Sequence, residues 1–189
     1  EGDGRRWDAG SLALGVAYAR NLTDRFSIGF HAKYVRESIW SEAASAFALD
    51  IGTLYVSELP GLTLGASITN FGTRMRLEGR DLLFNTDPNG DPGSGPNNIP
   101  AQYRTEDFDL PLLFRVGVAY DAITTEDVRV TAAVDAAHPN DNLEYVNSGI
   151  ELAWTEVLFL RAGYRSAFQR DSEGGPTWGF GFHYGIVNG

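Results

Sequence analysis

The sequence has no cysteine, a single methionine and no long apolar segment. The missing cysteine and the missing apolar segment each exclude a class of structure. Without cysteine there is no disulfide framework and no sign of thiol redox chemistry. No apolar run approaches the roughly 20 residues that a membrane helix needs, although membrane strands need only about 9 to 11 residues of alternating pattern. Lysine and arginine number 15 against 25 aspartates and glutamates, and the resulting net charge of -10 argues against nucleic acid as a partner.

Glycine and aromatic residues are plentiful instead. The 189 residues include 22 glycines, and 12% of the chain is aromatic, which is typical of an all-β protein with many tight turns. In the segment 177–186, large apolar side chains alternate with small or polar ones. The large residues are Trp178, Phe180, Phe182, Tyr184 and Ile186. Since the other side of this strand is mostly glycine rather than charged, the pattern predicts lipid on the large side and a barrel lumen on the small side.

The same alternation recurs along the chain and predicts about nine antiparallel strands joined as hairpins. The strand segments are 9–19, 25–38, 46–56, 62–79, 110–121, 128–139, 144–154, 157–168 and 177–186. We also predict a helical turn at 41–45 and a β-bulge at 70–72. Short turns alternate with longer connections, of which 80–109 is the longest, as in outer-membrane barrels. The alternative is a soluble β-sandwich, which would have to account for the many large residues on the outward side.

Four segments carry a resemblance to a known family. They read GLTLGASITNFGTRMRLEGRDL at 61–82, DLPLLFRVGVAYD at 109–121, HPNDNLEYVNSGIEL at 138–152 and LFLRAGYR at 158–165. Together they resemble the PorV/PorQ-type outer-membrane β-barrel proteins, which are related to the FadL-type fatty-acid channels. The resemblance implies an all-β, antiparallel, up-and-down transmembrane β-barrel of about fourteen strands, in which residues 1–189 are a single incomplete domain, an internal fragment cut at both ends.

The resemblance also implies a location and partners. It places the chain in the bacterial outer membrane, where its strands would contact lipid. Family members of the PorV type serve the type IX secretion system and carry cargo at the cell surface. The partners implied are therefore secreted cargo or secretion-system proteins, while no cofactor is expected.

The ionisable side chains on the small side of the strands form the first candidate site. We predict that they form a polar network that fills or lines the lumen. Its members are His31, Lys33, Asp50, Arg115, Arg129, Asp135, Glu151, Arg161, Arg165 and His183. Because charges removed from water need partners, we predict cross-strand pairs of Asp135 with Arg115 or Arg129, and of Glu151 with Arg161 or Arg165.

The long segment 80–109, predicted as a surface loop, is the second candidate site and the best place for a partner to bind. Its candidate contact residues are Asp87, Asn89, Asp91, Asn97 and Asn98. Asp87, Asn89 and Asp91 also have the alternate-oxygen spacing of a calcium loop. The glutamate that normally completes such a loop is missing, and Asx-turns explain the same residues without a metal.

No catalytic motif is evident. Ser67 and Ser166 do not lie in a GxSxG turn, and the histidines lack the HExxH spacing of a zinc site. The leading hypothesis is therefore a non-enzymatic outer-membrane barrel that binds a partner protein through its surface loop. The alternative is a FadL-like channel for small hydrophobic solutes, which should have clustered aromatic residues on the lumen side.

Overall fold

The structure is a computed structural model that describes residues 8–87, 98–167 and 174–183. It is almost entirely β-structure, with one short 3-10 helix at Arg80–Leu82. The strands are β1 (Ala9–Asn21), β2 (Phe26–Ile39), β3 (Glu42–Val56), β4 (Leu62–Gly72), β5 (Glu78–Gly79), β6 (Leu83–Thr86), β7 (Ile99–Gln102), β8 (Leu113–Thr124), β9 (Val128–Pro139), β10 (Tyr145–Trp154), β11 (Leu158–Ala167) and β12 (Gly175–Phe182). Within the described ranges, no helix has the length and apolar character needed to cross a membrane.

The strands form one large sheet and one small one. The large sheet has the order β1-β2-β3-β4-β8-β9-β10-β11-β12, with β5 paired to β3, while β6 and β7 pair with each other. Apart from the step from β4 to β8, between which β5, β6 and β7 lie in the chain, strands adjacent in this order follow one another in sequence, so the predicted all-β, up-and-down fold is confirmed. In the described part of the chain, β1 and β12 end the order and no pairing joins them, so the sheet is not closed.

The pairing register of β8 to β12 confirms the two faces that the alternation predicts. One row across these strands consists of Tyr120, Ala132, Ile150, Ala162 and Trp178. The adjacent row, on the opposite face, consists of Ala119, Ala133, Gly149, Gly163 and Thr177. Because cross-strand partners point to the same side of a sheet, we call these the apolar face and the small-residue face.

The chain divides into two compact units. The first contains the described residues of Glu1–Val16, Ala32–Leu49 and Phe71–Leu110, and the second those of Ala17–His31, Asp50–Asn70 and Pro111–Gly189. The first unit has a small apolar core around the single methionine, Met75, which is only 1% exposed. The residues packed there are Ala44, Ala46, Ala48, Met75 and Leu110, with Val35 and Leu77 at the margin.

This core explains why the predicted helical turn at 41–45 is wrong. Residues from Glu42 onward belong to β3, and the alternate alanines Ala44 and Ala46 are buried against Met75. Alanine favours helices in isolation, but the packing of one face of a strand overrides that weak preference. The helix prediction rested on composition alone and could not include this contact.

The segment 80–109 is more ordered than the predicted surface loop. Met75 and Phe108 form a β-bridge, each backbone N–H donating to the other residue's carbonyl, at 2.8 and 2.9 Å. Further out, the Thr105 hydroxyl donates to the Leu77 carbonyl, and β6 pairs with β7 as a two-stranded ribbon. The segment therefore contains a ribbon that the sequence analysis missed, and the predicted loop residues Asn89, Asp91 and Asn97 lie outside the described residues.

The phase change predicted near 70–72 corresponds to an unusual backbone conformation. Asn70 has a φ of 62°, in the left-handed region that asparagine tolerates better than most residues. Two residues on, Gly72 lies so close to β3 that an added Cβ would be 2.9 Å from the Ala48 Cα. The backbone geometry therefore requires glycine at position 72 and favours asparagine at position 70.

Candidate functional site

The second unit contains a cavity of about 870 Å³ on its small-residue face. Its lining includes Gly65, Gly117 and Ala119, which leave space above the sheet because they carry little or no side chain. Four of the predicted network residues, His31, Asp50, Arg115 and Asp135, also line it. The structure thus brings these four into one site.

At one side of the cavity, hydrogen bonds connect His31 to the irregular end of β4. The His31 Nδ1 lies 3.1 Å from Asp50 Oδ2, and the Asn70 backbone N–H donates to Asp50 Oδ1 at 2.7 Å. The Asn70 side-chain amide donates in turn to the Pro111 carbonyl at 2.7 Å. Asp50 therefore accepts hydrogen bonds that fix the left-handed turn at Asn70, a role that the alternation pattern alone does not reveal.

At the other side, Asp135 lies between two donors. The Arg115 Nε is 3.5 Å from Asp135 Oδ1, which makes the predicted Arg115–Asp135 pair a loose one. The Asn147 side-chain amide donates to the same oxygen at 2.9 Å. The carboxylate is thus held mainly by the neutral donor from β10, and Arg115 adds a looser ion pair.

Glu151 and Arg161 also form the predicted pair, with Arg161 Nε donating to Glu151 Oε2 at 2.5 Å. They face each other directly in the register of β10 and β11. Arg165, the other partner considered for Glu151, instead places its guanidinium 4.3 Å from the centre of the Tyr145 ring. That distance is typical of a cation–π contact.

Arg129 does not pair with Asp135, because both residues belong to β9 and lie six positions apart, about 20 Å along the strand. Its guanidinium forms a two-pronged pair with Glu156, at 3.0 and 3.2 Å, and donates to the Thr131 hydroxyl at 2.9 Å. The Thr131 hydroxyl donates onward to Asp121 Oδ1 at 2.6 Å. Arg129 also lies 3.7 Å from the Glu151 carboxylate, so it connects the Glu151–Arg161 pair to the tight turn after β10.

The sequence analysis missed Glu156, Asp121 and Thr131 as members of this second cluster. Glu156 belongs to the Thr155–Glu156 turn, where both residues have positive φ. The hydrogen bond from Arg129 holds the pKa of the Glu156 carboxyl below its ordinary value. Thr131 lies opposite Glu151 in the register of β9 and β10, so a register drawn from the connection between those two strands could have found it.

The remaining predicted network residues lie elsewhere. Lys33 is half-buried on β2, in the first unit. His183 follows β12, and its backbone N–H donates to the Val157 carbonyl at 2.8 Å. The structure therefore groups members of the predicted network at two places, the cavity site and the cluster around Arg129.

The predicted partner and calcium residues are described only in part. Asp87 directly follows β6 and Asn98 directly precedes β7, and both are exposed at the end of the ribbon. Among the described residues, no group of three or more histidines or carboxylates could hold a metal ion. Because Asn89 and Asp91 are not described, the calcium prediction stays a prediction.

The apolar face of the sheet is exposed to an unusual degree. Trp178 is 85% exposed, and Phe180 and Phe182 on the same strand are also exposed. In the described part of the second unit, the buried apolar residues are only Ala137 and Ala153. Soluble monomers rarely expose apolar surface of this extent.

Comparisons with known proteins give no relative. No family model, no curated protein and no solved structure matches this chain. Any function therefore has to be argued from the two faces of the sheet and the ribbon.

Proposed function

We propose that the protein is a non-enzymatic outer-membrane β-barrel protein of the PorV/PorQ type, which binds cargo or partner proteins of type IX secretion at the cell surface. The observation that supports it best is the exposed apolar face of β8 to β12, opposite a face of glycine, alanine and paired charges. In a membrane strand, large apolar residues contact lipid and the alternate residues face the lumen. The secretory role comes from the sequence resemblance.

The distribution of charge supports lipid contact. Glu151, Arg161 and Asp135 lie on the small-residue face, while Ile150, Leu152 and Leu160 alternate with them on the other face. Each large apolar side chain transferred from water to hydrocarbon contributes about 1.5–3 kcal/mol. An arginine placed in the same hydrocarbon costs about 2–4 kcal/mol near its middle, and a carboxylate costs less. Contact with hydrocarbon is therefore favourable for the apolar face and unfavourable for the small-residue face.

The soluble β-sandwich agrees less well with these observations. A sandwich buries one face of each sheet against another layer, and large residues fill the space between them. In the described part of the second unit, the large residues are instead on the exposed side, and the buried apolar positions are alanines. The small-residue face could not supply the core that such a fold needs.

A membrane assay tests the first half of this proposal. The protein is reconstituted in phosphatidylethanolamine and phosphatidylglycerol vesicles whose acyl chains carry bromine, a quencher of tryptophan fluorescence. We expect quenching that decreases in Trp178→Phe, because Trp178 would lie in the acyl-chain region, and little quenching by aqueous iodide. A protein that stays in the aqueous fraction without detergent would refute the membrane assignment.

A secretion assay tests the second half. Deletion of residues 84–100 in the whole protein should reduce the amount of cargo at the cell surface. Leu143→Ala, a change at an exposed residue of another connection, is the control for expression and membrane insertion. Unchanged surface cargo after the deletion would contradict a role of this segment in partner binding.

A FadL-like channel for small hydrophobic solutes remains a second candidate, because the cavity of about 870 Å³ is large enough for a small molecule. The aromatic residues that line it are only Tyr18 and Phe30 among the described residues, and Gly65, Gly117, Arg115 and Asp135 line the rest of its small-residue side, so the aromatic cluster expected of such a channel is sparse. Uptake of a fluorescent fatty acid into vesicles that contain the protein would favour the channel. No uptake above that of empty vesicles would leave partner binding as the better proposal.

A further inference from the structure

The ribbon of β6 and β7 has two edges that differ in their hydrogen-bonding groups. In the described part of the chain, these two strands pair only with each other. A two-stranded ribbon is marginally stable in water, and a third strand would stabilise it. The edges therefore determine whether, and on which side, such a strand could be added.

The hydrogen-bonding pattern follows from the register. Leu83 faces Gln102, and Asn85 faces Pro100. The Tyr103 N–H donates to the Leu82 carbonyl at 2.8 Å, so the backbone bonds within the ribbon join 82 to 103, 84 to 101 and 86 to 99. The backbone groups of Leu83, Asn85, Pro100 and Gln102 consequently point away from the ribbon.

The central pair makes the two edges unequal. Asn85 presents both an N–H and a C=O outward on β6, whereas Pro100 has no N–H to present on β7. The Leu83 N–H already donates to the Arg80 carbonyl, but the Leu83 carbonyl still points outward. Proline on an edge strand is a common means of preventing strand addition. The edge of β7 therefore lacks a hydrogen-bond donor at its centre, whereas the edge of β6 has both a donor and an acceptor there.

Side chains next to β6 indicate what it could bind. The Phe84 and Tyr103 rings stack with their centres 4.4 Å apart, and Tyr103 is 62% exposed. Exposed aromatic residues of this kind often dominate the binding energy of protein interfaces. Two carboxylates, Asp81 and Asp87, flank the four residues of β6 in the sequence. The surface thus combines a backbone edge, an apolar ring pair and negative charge at both ends.

We propose that β6 binds an extended segment of a partner protein, which adds as a third strand beside Leu83–Thr86. This deepens the proposed function and rests on it, because the partner is the cargo or secretion protein bound at the cell surface. The segment would exchange backbone hydrogen bonds with Asn85, place an apolar side chain against Phe84, and carry basic residues near its ends. Affinity then comes from the backbone, and selectivity from the alternate side chains.

The test uses a defined peptide and the whole protein in detergent micelles. The probe is a fluorescent ten-residue peptide of alternating threonine and valine with a lysine at each end. Binding is followed by fluorescence anisotropy. We expect Asn85→Pro to weaken binding about tenfold, the effect of losing one or two backbone hydrogen bonds. Gln102→Pro removes the outward N–H of the other edge and should change binding less than twofold.

Two further measurements separate strand addition from simple hydrophobic attachment. The same peptide N-methylated at alternate residues keeps its side chains but cannot donate to the β6 edge, so it should not bind. Phe84→Ala should weaken the unmodified peptide because the ring pair is lost. Equal binding of the methylated peptide, or equal effects of Asn85→Pro and Gln102→Pro, would overturn the proposal.

Other results would show a different occupant of the β6 edge or would separate strand addition from the membrane assignment. Concentration-dependent dimerisation that is lost in Asn85→Pro would show that a second copy occupies the edge, which contradicts a separate partner. Absence of peptide binding by a protein that inserts normally into brominated vesicles would refute strand addition and leave the membrane assignment intact. Failure to insert, with the peptide still bound, would refute the membrane assignment alone.

Discussion

Replacing Met75 by alanine should loosen the first unit by a predictable amount. Met75 is 1% exposed and packs on Ala44, Ala46 and Ala48, which are too small to fill the space left behind. Truncation of a buried methionine to alanine costs about 2–5 kcal/mol, as the sum of lost burial and the cavity. The alanine-rich surroundings favour the upper half of that range.

Hydrogen exchange at two amides reports this change directly. The Met75 and Phe108 N–H groups bond to each other's carbonyls, so both are released when the segment separates from β3. The expected loss corresponds to a fall in protection of about 30-fold to a few thousand-fold in Met75→Ala, measured in micelles by mass spectrometry. Because leucine has a similar volume, Met75→Leu should change protection less than about tenfold.

A control outside the first unit makes the experiment specific. Phe180→Ala removes an exposed ring of β12 and should leave the Phe108 amide unchanged. If Met75→Ala left protection at Phe108 within twofold of the unmodified protein, Met75 would not be the core residue of this unit. The packing of 73–110 on β3 would then need another explanation.

Two further perturbations have defined expected results. Gly72→Ala should lower the melting temperature in micelles, because the new Cβ would lie 2.9 Å from the Ala48 Cα. Gly175→Ala is the control and should not lower it, because a Cβ there would have no atom within 4 Å. Equal melting temperatures of the two variants would contradict the close approach at Gly72. The hydrogen bond from Arg76 lowers the pKa of Asp107. The stabilisation of the folded state by this pair is therefore complete above the ordinary carboxyl pKa and is lost as pH falls through the lowered value. Exchange at Phe108 should accelerate over that acidic range, and Arg76→Gln should remove this pH dependence; identical pH profiles would refute it.

Much of the sheet could be predicted from the sequence because strand alternation is a local property. Trp178 and Phe180 alternate with Gly179 and Gly181, and the register places the large residues in the apolar rows. The ribbon was not predicted, since Asn85 and Pro100 are typical of loops and its strands are only four residues long. Proline is nevertheless compatible with an edge strand, so its presence in the sequence does not distinguish an edge strand from a loop.

The ion pairs were predicted less completely for a different reason. Glu151–Arg161 could be found because the Thr155–Glu156 turn fixes the register of β10 and β11. The contacts of Arg129 depend on the orientation of a long side chain, which spans from β9 to the turn after β10. The odd or even position of a residue along a strand gives the face on which its side chain lies, but not the carboxylate with which that side chain pairs.

Gly181 of β12 is best explained by the arginine beside it. A Cβ added at Gly181 would lie 3.2 Å from the Arg161 Nη1, whereas one added at Gly179 would meet nothing within 4 Å. Gly181 therefore leaves the space in which Arg161 lies while its Nε donates to Glu151. A larger residue there would displace the guanidinium and weaken its bond to Glu151, which would then keep only the longer contact with Arg129, at 3.7 Å.

This explanation can be tested with a double-mutant cycle. Glu151→Gln should destabilise the unmodified protein, and it should destabilise Gly181→Val clearly less, because the displaced Arg161 no longer pairs with Glu151. In Gly179→Val, Glu151→Gln should have its full effect, since Gly179 has open space around it. Urea unfolding in micelles measures the effect of Glu151→Gln in all three backgrounds. Additive effects of Gly181→Val and Glu151→Gln would show that the glycine does not serve the ion pair, and the small side of the strand would then have to be explained by the lumen alone.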